Sequence, residues 1–571
     1  MMTARRRNLT LAVFNDTKAS NKKDQPYDNK QNIYYLYTTL GKLPYYNNCI
    51  LNTTLNTTLA FSGAYVPDPP QMNCLISPIV LMGLDSILSL CASGGGGTLG
   101  PSKIAFILYT YWFGVTTGYN WMAGGPISGI KDNWNWSTRH MISDQMEQFL
   151  FMNSVLLSIL PNIFTNAFAL GATYDSTPLL NYAYTVLEYT PEQYTHAANT
   201  VTGQYHFNEW QSEFNAWFTQ RNNEAKTIAA QAPTISNLPN GAHSINAANG
   251  TVDPISGFPS PTKWTPITLP PPSNARKNYY TWHWQNITSP SGLTPQQTND
   301  ISGVADQHYI PDGPDRDAEI DALKNLTANL TDNQKSIAEF WAGITNTVNP
   351  PGIMFWFWKQ YMQGYNIATV NGNTTFVYSG FHLATGLVEV GRMCWGLKYK
   401  HFQDRPIQEI RRRYTGQQIT SWNGTVLGDN WIPYQPYNFI TPPFPDFPSG
   451  HSAFSQMFAN VMTSWFGATI QNHPVQTLTD LQLISPAFTG VTQTQPFGTI
   501  VYPKGKSQVV TDGSTPANDE TLSWASWQDL ADQAGLSRRC GGIHALSAHV
   551  GSQALANALY PVMNSIWGLP N

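Results

Sequence analysis

The sequence predicts a mainly α-helical protein, and three observations support this fold class. Long stretches carry apolar residues at three- and four-residue intervals, which is typical of amphipathic helices. Apolar runs near residues 75–91, 103–115 and 146–170 occupy much of the first half. The 571 residues are 42% hydrophobic and 13% aromatic, so the chain can bury more than one helical core.

Composition divides the chain into three parts. Residues 1–224 begin with a polar stretch and continue as an N-terminal helical bundle region. Residues 225–331 are rich in Pro, Asn, Ser and Thr, which favours a long connecting segment over a domain. Residues 332–571 return to helical periodicity, and Asp332 is placed to cap the first helix of this region.

A polar insertion interrupts the last part. Residues 470–520 are rich in Thr, Gln and Pro, and two stretches within them, 498–502 and 507–511, have strand-like composition. The sequence therefore predicts a hairpin formed by these two stretches.

Three short basic segments follow one another within residues 332–571. They are Lys398 with Arg405-Pro406, then Pro448-Ser449-Gly450-His451, then Ser537-Arg538 with Gly542 and His544. A tetrahedral oxyanion can accept several charge-assisted hydrogen bonds of roughly 1.5–3 kcal/mol each, so these donors could hold it without a divalent metal. The segments therefore predict a site for a phosphate-sized anion.

The middle segment opens a helix. Apolar residues recur at helical spacing directly after His451. Ser449 and Gly450 therefore lie at a helix start, where unpaired N–H groups and the absence of a side chain on glycine favour a bound anion.

The other two segments also lie at helix ends. Lys398 ends a periodic run, and Pro406 stops further helix, so Arg405 is presented from a loop. Another periodic run begins at His544. Three helix ends can thus meet at one site.

The order and spacing of these segments are similar to the signature shared by vanadium-dependent haloperoxidases and the type 2 phosphatidic acid phosphatases. Two further stretches resemble the haloperoxidase branch. Residues 334–341 with Pro350-Pro351-Gly352 resemble its entry helix, and residues 527–544 resemble its third segment. The resemblance covers residues 332–571. It implies two helical bundles, with the anion site in a C-terminal catalytic bundle.

The resemblance also implies a role for each motif residue. Vanadate would be the cofactor, with His544 as its axial ligand and His451 as the acid-base group that helps hydrogen peroxide to bind. The vanadate oxygens would accept hydrogen bonds from Lys398, Arg405, Ser449, Gly450 and Arg538. The residues that would take part in catalysis are His451, Lys398 and His544. In this reaction a halide ion would be oxidised to a hypohalous-acid-like species.

Two aromatic residues resemble the halide pocket of the family. Trp395 lies three residues before Lys398, and Phe444 lies seven before His451. Phe444, rather than a His or Arg, is similar to the type that oxidises chloride as well as bromide. Without the resemblance, aromatic side chains beside a buried site are more often core residues.

One position departs from the family pattern. Many relatives have an Asp four residues after the third-motif His, and Ala548 stands there in this chain. A carboxylate that orients His544 or Arg538 must therefore come from elsewhere. The candidates, which the sequence does not rank, are Asp332, Glu339 and Asp446.

Other basic residues near the motifs are predicted to have ordinary roles. His549 lies five residues after His544, which is the wrong helical spacing for a second ligand on the same face, so a structural role is expected. Solvated surface positions are expected for Arg411, Arg412, Arg413 and Arg539.

Two functions compete with halide peroxidation. In a soluble acid phosphatase the same residues would bind phosphate, with His544 as nucleophile and His451 as the acid for the leaving group. The missing Asp at position 548 weakens this alternative, because a histidine nucleophile needs an orienting acid. A non-enzymatic anion-binding protein would leave both histidines idle.

Charge and hydropathy argue against a nucleic-acid-binding protein and an integral membrane protein. A net charge of −4, with basic residues concentrated at the anion site, excludes a nucleic-acid partner. The apolar stretch 75–91 is interrupted by Pro78, Gly83 and Asp85. The run 149–160 is too short to span ~30 Å of hydrocarbon, so we expect buried helices and no integral membrane protein. No clear signal peptide is found, and the sequence leaves compartment, oligomeric state and organic substrate open.

Overall fold

A computed structural model of the chain places a defined set of residues. These are 76–93, 100–123, 145–167, 170–187, 189–200, 203–230, 244–245, 252–253, 264, 282–344, 346–364, 372–470 and 475–567. The predicted polar start and most of the predicted connecting segment before residue 282 lie outside the described residues.

Six helices form the described part of the first half. They are α1 (Ile76–Ser93), α2 (Gly100–Ala123), α3 (Gln145–Asn166), α4 (Thr177–Leu187), α5 (Pro191–Thr200) and α6 (Gly203–Ala230). The three apolar runs noted in the sequence coincide with α1, α2 and α3, so their prediction as helices is confirmed.

Nine helices follow in the described residues after 282. They are α7 (Pro295–Asp306), α8 (Pro314–Ala328), α9 (Asp332–Phe340), α10 (Asn349–Gly364), α11 (Gly372–His401), α12 (Pro406–Arg413), α13 (Gly450–Phe466), α14 (Trp527–Cys540) and α15 (Leu546–Trp567). The mainly α-helical fold class is thereby confirmed.

The motif residues lie at helix ends, as the sequence predicts. Lys398 is in the last turn of α11, and Ser449 is the N-cap of α13. One detail differs: Pro406 is the first residue of α12, directly after its N-cap Arg405. Proline suits this position because the first helical N–H has no partner within the helix.

The described strands are short and form four antiparallel pairs. They pair as β1 (Ser244–Ile245) with β2 (Val252–Asp253), β3 (Gln418–Ser421) with β4 (Gly424–Leu427), β5 (Val475–Leu478) with β6 (Gln493–Pro496), and β7 (Thr499–Tyr502) with β8 (Glu520–Ser523). The predicted hairpin is therefore half right. Its first stretch is β7, but the partner is β8, and residues 507–511 form turns and bends.

Buried apolar side chains from both halves share one large cluster, which runs from Ile76 to Met563 in the described residues. Helix α11 packs against α2 of the first half and α13 of the second. Trp112 of α2 stacks on Phe355 with 5.9 Å between ring centroids, and it lies so close to Gly380 of α11 that a side chain there would clash. The helices that carry Lys398 and Ser449 are thus held in the protein interior.

Two helices lie in the segment predicted as a connector. Helix α7 is capped by Thr294 and packs against α15, and α8 packs against α12 and α14. The predicted connecting segment is therefore helical at residues 295–306 and 314–328. The positions of the domain boundaries stay a prediction.

The cap of α9 also differs from the prediction. Thr331, rather than Asp332, is the N-cap, and its side chain accepts a hydrogen bond from the Gln334 N–H. Asp332 is the first helical residue, and its carboxylate accepts from the Ala517 N–H at 2.7 Å.

Two described helices have the length and hydropathy of a membrane span. They are α1 and residues 147–166 of α3. In the structure 72% of the first and 56% of the second are buried inside the protein. This burial agrees with the expectation that both are core helices.

Candidate functional site

His544 lies in the turn between α14 and α15, and a buried carboxylate fixes its ring. Gly542 provides the turn with φ +71°, a left-handed conformation that side chains disfavour. The distance from His544 Nδ1 to Asp446 Oδ1 is 2.5 Å, and both residues are buried. Since an ionised carboxylate only accepts, Nδ1 carries the proton and Nε2 keeps its lone pair.

The charges around this pair hold Asp446 ionised. Burial alone would raise the pKa of Asp446, but His544, Arg316 and Arg405 outweigh it and lower that pKa. Burial, followed by the charge of Arg405, lowers the pKa of His544 well below its usual value. A neutral imidazole with Nε2 free of hydrogen is the form that ligates metals.

Arg405 lies against the Nε2 side of His544. Its Nη1 is 3.0 Å from His544 Nε2 and donates to the Ile543 carbonyl at 2.8 Å, while its Nε donates to the Phe444 carbonyl at 2.7 Å. Its Nη2 is buried and has no hydrogen-bond partner among the described residues. Arg405 therefore offers a spare charged donor beside the imidazole.

A second spare guanidinium comes from Arg538 in the last turn of α14. Its Nη1 donates to the Trp341 carbonyl at 3.1 Å, whereas its buried Nε and Nη2 have no partner among the residues the structure describes. Burial, followed by the charge of Arg405, lowers the pKa of Arg538 to about 9. Buried donors without partners cost about 1–3 kcal/mol or more, and an anion would satisfy them.

His451 is held through the same carbonyl. Its Nε2 lies 2.8 Å from the Trp341 oxygen. A carbonyl only accepts, so Nε2 carries the proton and Nδ1 keeps the lone pair. Burial, followed by the charge of Arg538, lowers the pKa of His451 well below its usual value. The ring is therefore neutral near pH 7, with an unprotonated Nδ1.

The start of α13 is shaped for close approach. The Ser449 side chain accepts from the Ser452 N–H, and its own N–H donates to the Ala548 carbonyl at 2.9 Å. Gly450 is the first residue of α13, and a Cβ there would lie 2.9 Å from the Trp395 ring. Only glycine fits, and the helix start leaves N–H groups for an anion.

Lys398 is buried, and its hydrogen bonds are to backbone carbonyl groups. Its Nζ donates to the carbonyls of Pro445 and Asp446, each at 2.9 Å, and to that of Pro448. Burial lowers the pKa of Lys398 to about 7. All three ammonium protons are thus engaged, so a direct hydrogen bond to an anion would replace one of these contacts.

The predicted halide pocket residues pack on each other. Trp395 and Phe444 meet edge to face with 5.1 Å between ring centroids, and Phe444 also lies 5.1 Å from Lys398 Nζ and 5.0 Å from Arg405 Cζ. Trp395 Nε1 is buried without a partner in the described part of the chain. The halide role of both residues stays a prediction.

A cavity opens where these elements meet. It is lined by Gly100, Pro101, Ala342, Gly343, Asn349, Pro350, Trp395, Phe439, Pro442, Phe444, Gly450, His451, Phe454, Arg538 and His544. Six of the predicted site residues therefore line it, whereas Lys398, Arg405 and Ser449 are not among its lining residues. The cavity lies beside guanidinium donors that have no partner among the described residues and beside the unprotonated Nε2 of His544, which faces Arg405 Nη1 at 3.0 Å. This set of donors and one imidazole nitrogen suits a vanadate- or phosphate-sized anion.

The structure distinguishes the three candidate acids. Asp446 is the one that contacts His544, 98 residues away along the chain. Glu339 instead accepts from Tyr434, Tyr502, Ser507 and Gln508. Asp332 lies at the start of α9, as described above.

Sequence reasoning missed other contributors. The carbonyl of Trp341 is a backbone contact that a side-chain pattern does not reveal, and Arg316, which contacts Asp446, carries no motif signal. Arg411 was expected at the surface but is buried, and its Nε donates to the Trp431 carbonyl at 2.9 Å. His549 bonds to Ser452 Oγ at 2.9 Å, in keeping with its expected structural role.

Comparisons with known proteins identify a matching family model and similar folds. Residues 379–561 match the family model described as the VCPO second helical-bundle domain. The fold is similar to a bacterial vanadium-dependent iodoperoxidase, with a TM-score of 0.53, 14% identity, and 88% of this chain and 98% of that chain covered. It is also similar to a holo-type bacterial vanadium-dependent chloroperoxidase, with a TM-score of 0.54, 15% identity, and coverage of 83% and 93%. No curated protein matches the chain by sequence.

At this identity the solved structures establish the fold, while the family model covers the segment that holds Lys398, Arg405, Ser449, His451, Arg538 and His544. The predicted resemblance is confirmed: the chain has the helical-bundle fold of the vanadium-dependent haloperoxidases, and residues 379–561 match the second bundle of that family.

Proposed function

We propose that the protein is a vanadate-dependent haloperoxidase, which uses hydrogen peroxide to oxidise bromide and chloride to a hypohalous-acid-like species. One observation carries the proposal. His544 lines the cavity with Nδ1 bound to Asp446, and Arg538, which also lines it, has buried N–H groups without a partner among the described residues.

The proposed roles follow from these contacts. His544 would hold vanadate through Nε2, and the unpartnered donors of Arg405 and Arg538 would bind its oxygens. Lys398 would contribute charge, and Gly450 a backbone N–H at the start of α13. Vanadate, when bound, supplies a Lewis-acidic centre that activates peroxide towards halide.

His451 would supply the proton transfer. Its neutral ring keeps an Nδ1 lone pair, because Nε2 donates to the Trp341 carbonyl. It can therefore take a proton from hydrogen peroxide as peroxide binds, and return it to a leaving oxygen.

An acid phosphatase remains a second candidate, and Asp446 favours it. The sequence argued against a phosphatase because position 548 lacks an acid. The contact of Asp446 with His544 supplies an orienting carboxylate, so His544 Nε2 could also act as a nucleophile on phosphate.

One paired assay separates the two functions. We expect the protein to halogenate monochlorodimedone with peroxide and bromide only after vanadate is added, and to hydrolyse p-nitrophenyl phosphate weakly as the apo protein. Efficient phosphate hydrolysis with no vanadate-dependent halogenation would favour the phosphatase. The His544→Ala variant is the control for both reactions.

A further inference from the structure

Arg316 belongs to α8, in the segment that the sequence marks as a connector, yet its side chain reaches the candidate site. Its Nη2 donates to Asp446 Oδ2 at 2.8 Å. The other oxygen of the same carboxylate contacts His544 Nδ1 at 2.5 Å. Each oxygen of Asp446 therefore has one hydrogen-bond partner among the described side chains, and Arg405 Nη1 lies 3.9 Å from Oδ1. Tilting the carboxylate out of this plane would weaken both hydrogen bonds.

Arg316 is itself held on its remaining N–H groups. Its Nε and Nη2 form a fork with Glu409 at 3.1 and 2.6 Å, and its Nη1 donates to Glu319 at 2.9 Å. Arg316, Glu409 and Asp446 are all buried. A planar guanidinium held in this way has one orientation, and that orientation fixes Asp446.

The same helix also holds the backbone beyond His544. Glu319, three residues after Arg316, accepts from the N–H and, at 2.9 Å, from the Oγ of Ser547. Ser547 is the second residue of α15 and lies three residues after His544. Helix α8 therefore supports His544 in two ways. Arg316 binds Asp446, which binds the His544 ring, and Glu319 binds Ser547 at the start of α15.

We infer that Arg316 is a positioning residue, which acts through Asp446 to keep His544 in the tautomer that presents the Nε2 lone pair to a bound anion. Glu409 and Glu319 support it. The inference rests on the proposed function for the role of His544, although it holds equally for vanadate or phosphate as the anion.

A purely structural ion pair is the alternative, because buried ion pairs often contribute little specific function. The two explanations differ in what happens to His544. If Arg316 only links helices, its loss lowers stability but leaves the tautomer of His544 unchanged. If it positions Asp446, the Asp446 carboxylate gains freedom, and the Nε2–H tautomer of His544 becomes populated.

The chain offers a matched control. Arg413 also joins α8 to α12, through Asp317 at 3.2 Å and Asp321 at 3.1 Å, and the structure gives it no contact with Asp446. Arg413→Met therefore removes an arginine bridge between the same two helices without touching the carboxylate of interest.

The test uses the full-length protein with ¹⁵N-labelled histidine. In wild type and Arg413→Met we expect NMR to show His544 with a protonated Nδ1 and an unprotonated Nε2. In Arg316→Met we expect a mixture of tautomers and a loss of affinity for orthovanadate and inorganic phosphate, measured by calorimetry, of about 10- to 100-fold. Arg316→Lys, which keeps a cation beside Asp446, should lose less.

Removal of the buried Arg316 cation can prevent folding, because it leaves buried carboxylates without a partner. A second variant therefore combines Arg316→Met with Glu409→Gln, which removes the charge of one of these carboxylates. An unchanged His544 tautomer and unchanged anion affinity in either folded variant would overturn the inference. Halogenation is not a readout here. If wild type binds neither anion, the proposed function fails, and the tautomer measurement still decides the role of Arg316.

Discussion

At the scale of single residues, the two site histidines are held through different ring nitrogens. Asp446 binds Nδ1 of His544, whereas the Trp341 carbonyl binds Nε2 of His451. Each contact fixes a tautomer, so His544 keeps a lone pair on Nε2 and His451 on Nδ1. The proposed roles therefore differ: His544 would be the vanadate ligand and His451 the proton acceptor. Substitutions at the two positions should have different effects on vanadate binding and on reaction rate.

Replacement of His544 should remove the cofactor. In His544→Ala the proposed protein bond to vanadium is lost, while little core burial is lost, so we expect a folded protein that does not retain vanadate. Vanadium measured after gel filtration tests this. His401→Ala, which alters a partly buried histidine paired with Asp306, should retain vanadium as wild type does. Stoichiometric vanadium in His544→Ala would refute the ligand assignment.

Replacement of His451 should affect chemistry rather than binding. We expect His451→Ala to retain vanadate and to lose roughly 10²- to 10⁴-fold in peroxidation rate, the usual range for a positioned acid-base group. Steady-state kinetics at saturating vanadate provide the measurement. Full turnover in this variant would mean that another group moves the proton.

Phe444 tests the predicted halide pocket. Its ring packs on Trp395 and lies 5.1 Å from Lys398 Nζ. A hydrogen-bonding side chain there would admit water and stabilise the small chloride ion before oxidation. We therefore expect Phe444→His to lose chloride turnover selectively and to keep bromide turnover. Equal losses for both halides would identify Phe444 as a core residue only.

The sequence predicted the site residues that belong to a motif. It did not predict the residues whose role depends on a contact between distant parts of the chain. Spacing alone placed Ser449 at a helix start and Lys398 at a helix end. It shortlisted Asp446 without ranking it, because the contact with His544 depends on a fold that brings distant segments together. Arg316 lies in a polar segment with no motif, so only the three-dimensional contact reveals it.

At the scale of elements, α9 connects the site to the polar insertion. The carbonyl of Trp341, directly after α9, holds His451 and Arg538. Near the end of the same helix, the buried Glu339 accepts hydrogen bonds from three hydroxyl groups and one backbone N–H. Periodicity predicted α9, but the composition of the insertion could not show that it folds back onto this helix.

Glu339 should therefore anchor the insertion. Glu339→Ala leaves several buried donors without an acceptor, and we expect a loss of about 3 kcal/mol in the free energy of unfolding. Urea denaturation provides the measurement. Asp332→Ala is the matched control, because Asp332 links the same helix to the insertion from a more exposed position, with a side chain 30% exposed. Similar losses in the two variants would argue against a specific anchor at Glu339.

At the scale of the whole molecule, the two halves share one hydrophobic cluster. Trp112 of the first half is fully buried against Phe355, Trp358 and Phe376 of the second, with ring centroids 5.0 to 6.0 Å apart. The sequence predicted apolar helices in both halves, but amphipathic periodicity does not specify which helices pack together. The shared packing implies that damage in the first half reaches the anion site.

Trp112→Ala tests this coupling. The substitution leaves a cavity between α2, α10 and α11, and we expect a loss of about 3–5 kcal/mol in the free energy of unfolding. Because α11 also carries Lys398, phosphate binding should be lost at the same lowered urea concentration as the helical circular dichroism signal. Val475→Ala, at a side chain that is 64% exposed, should leave both midpoints unchanged. If Trp112→Ala lowered the midpoint for the helical signal while phosphate binding kept its wild-type midpoint, the two halves would unfold independently despite their common core.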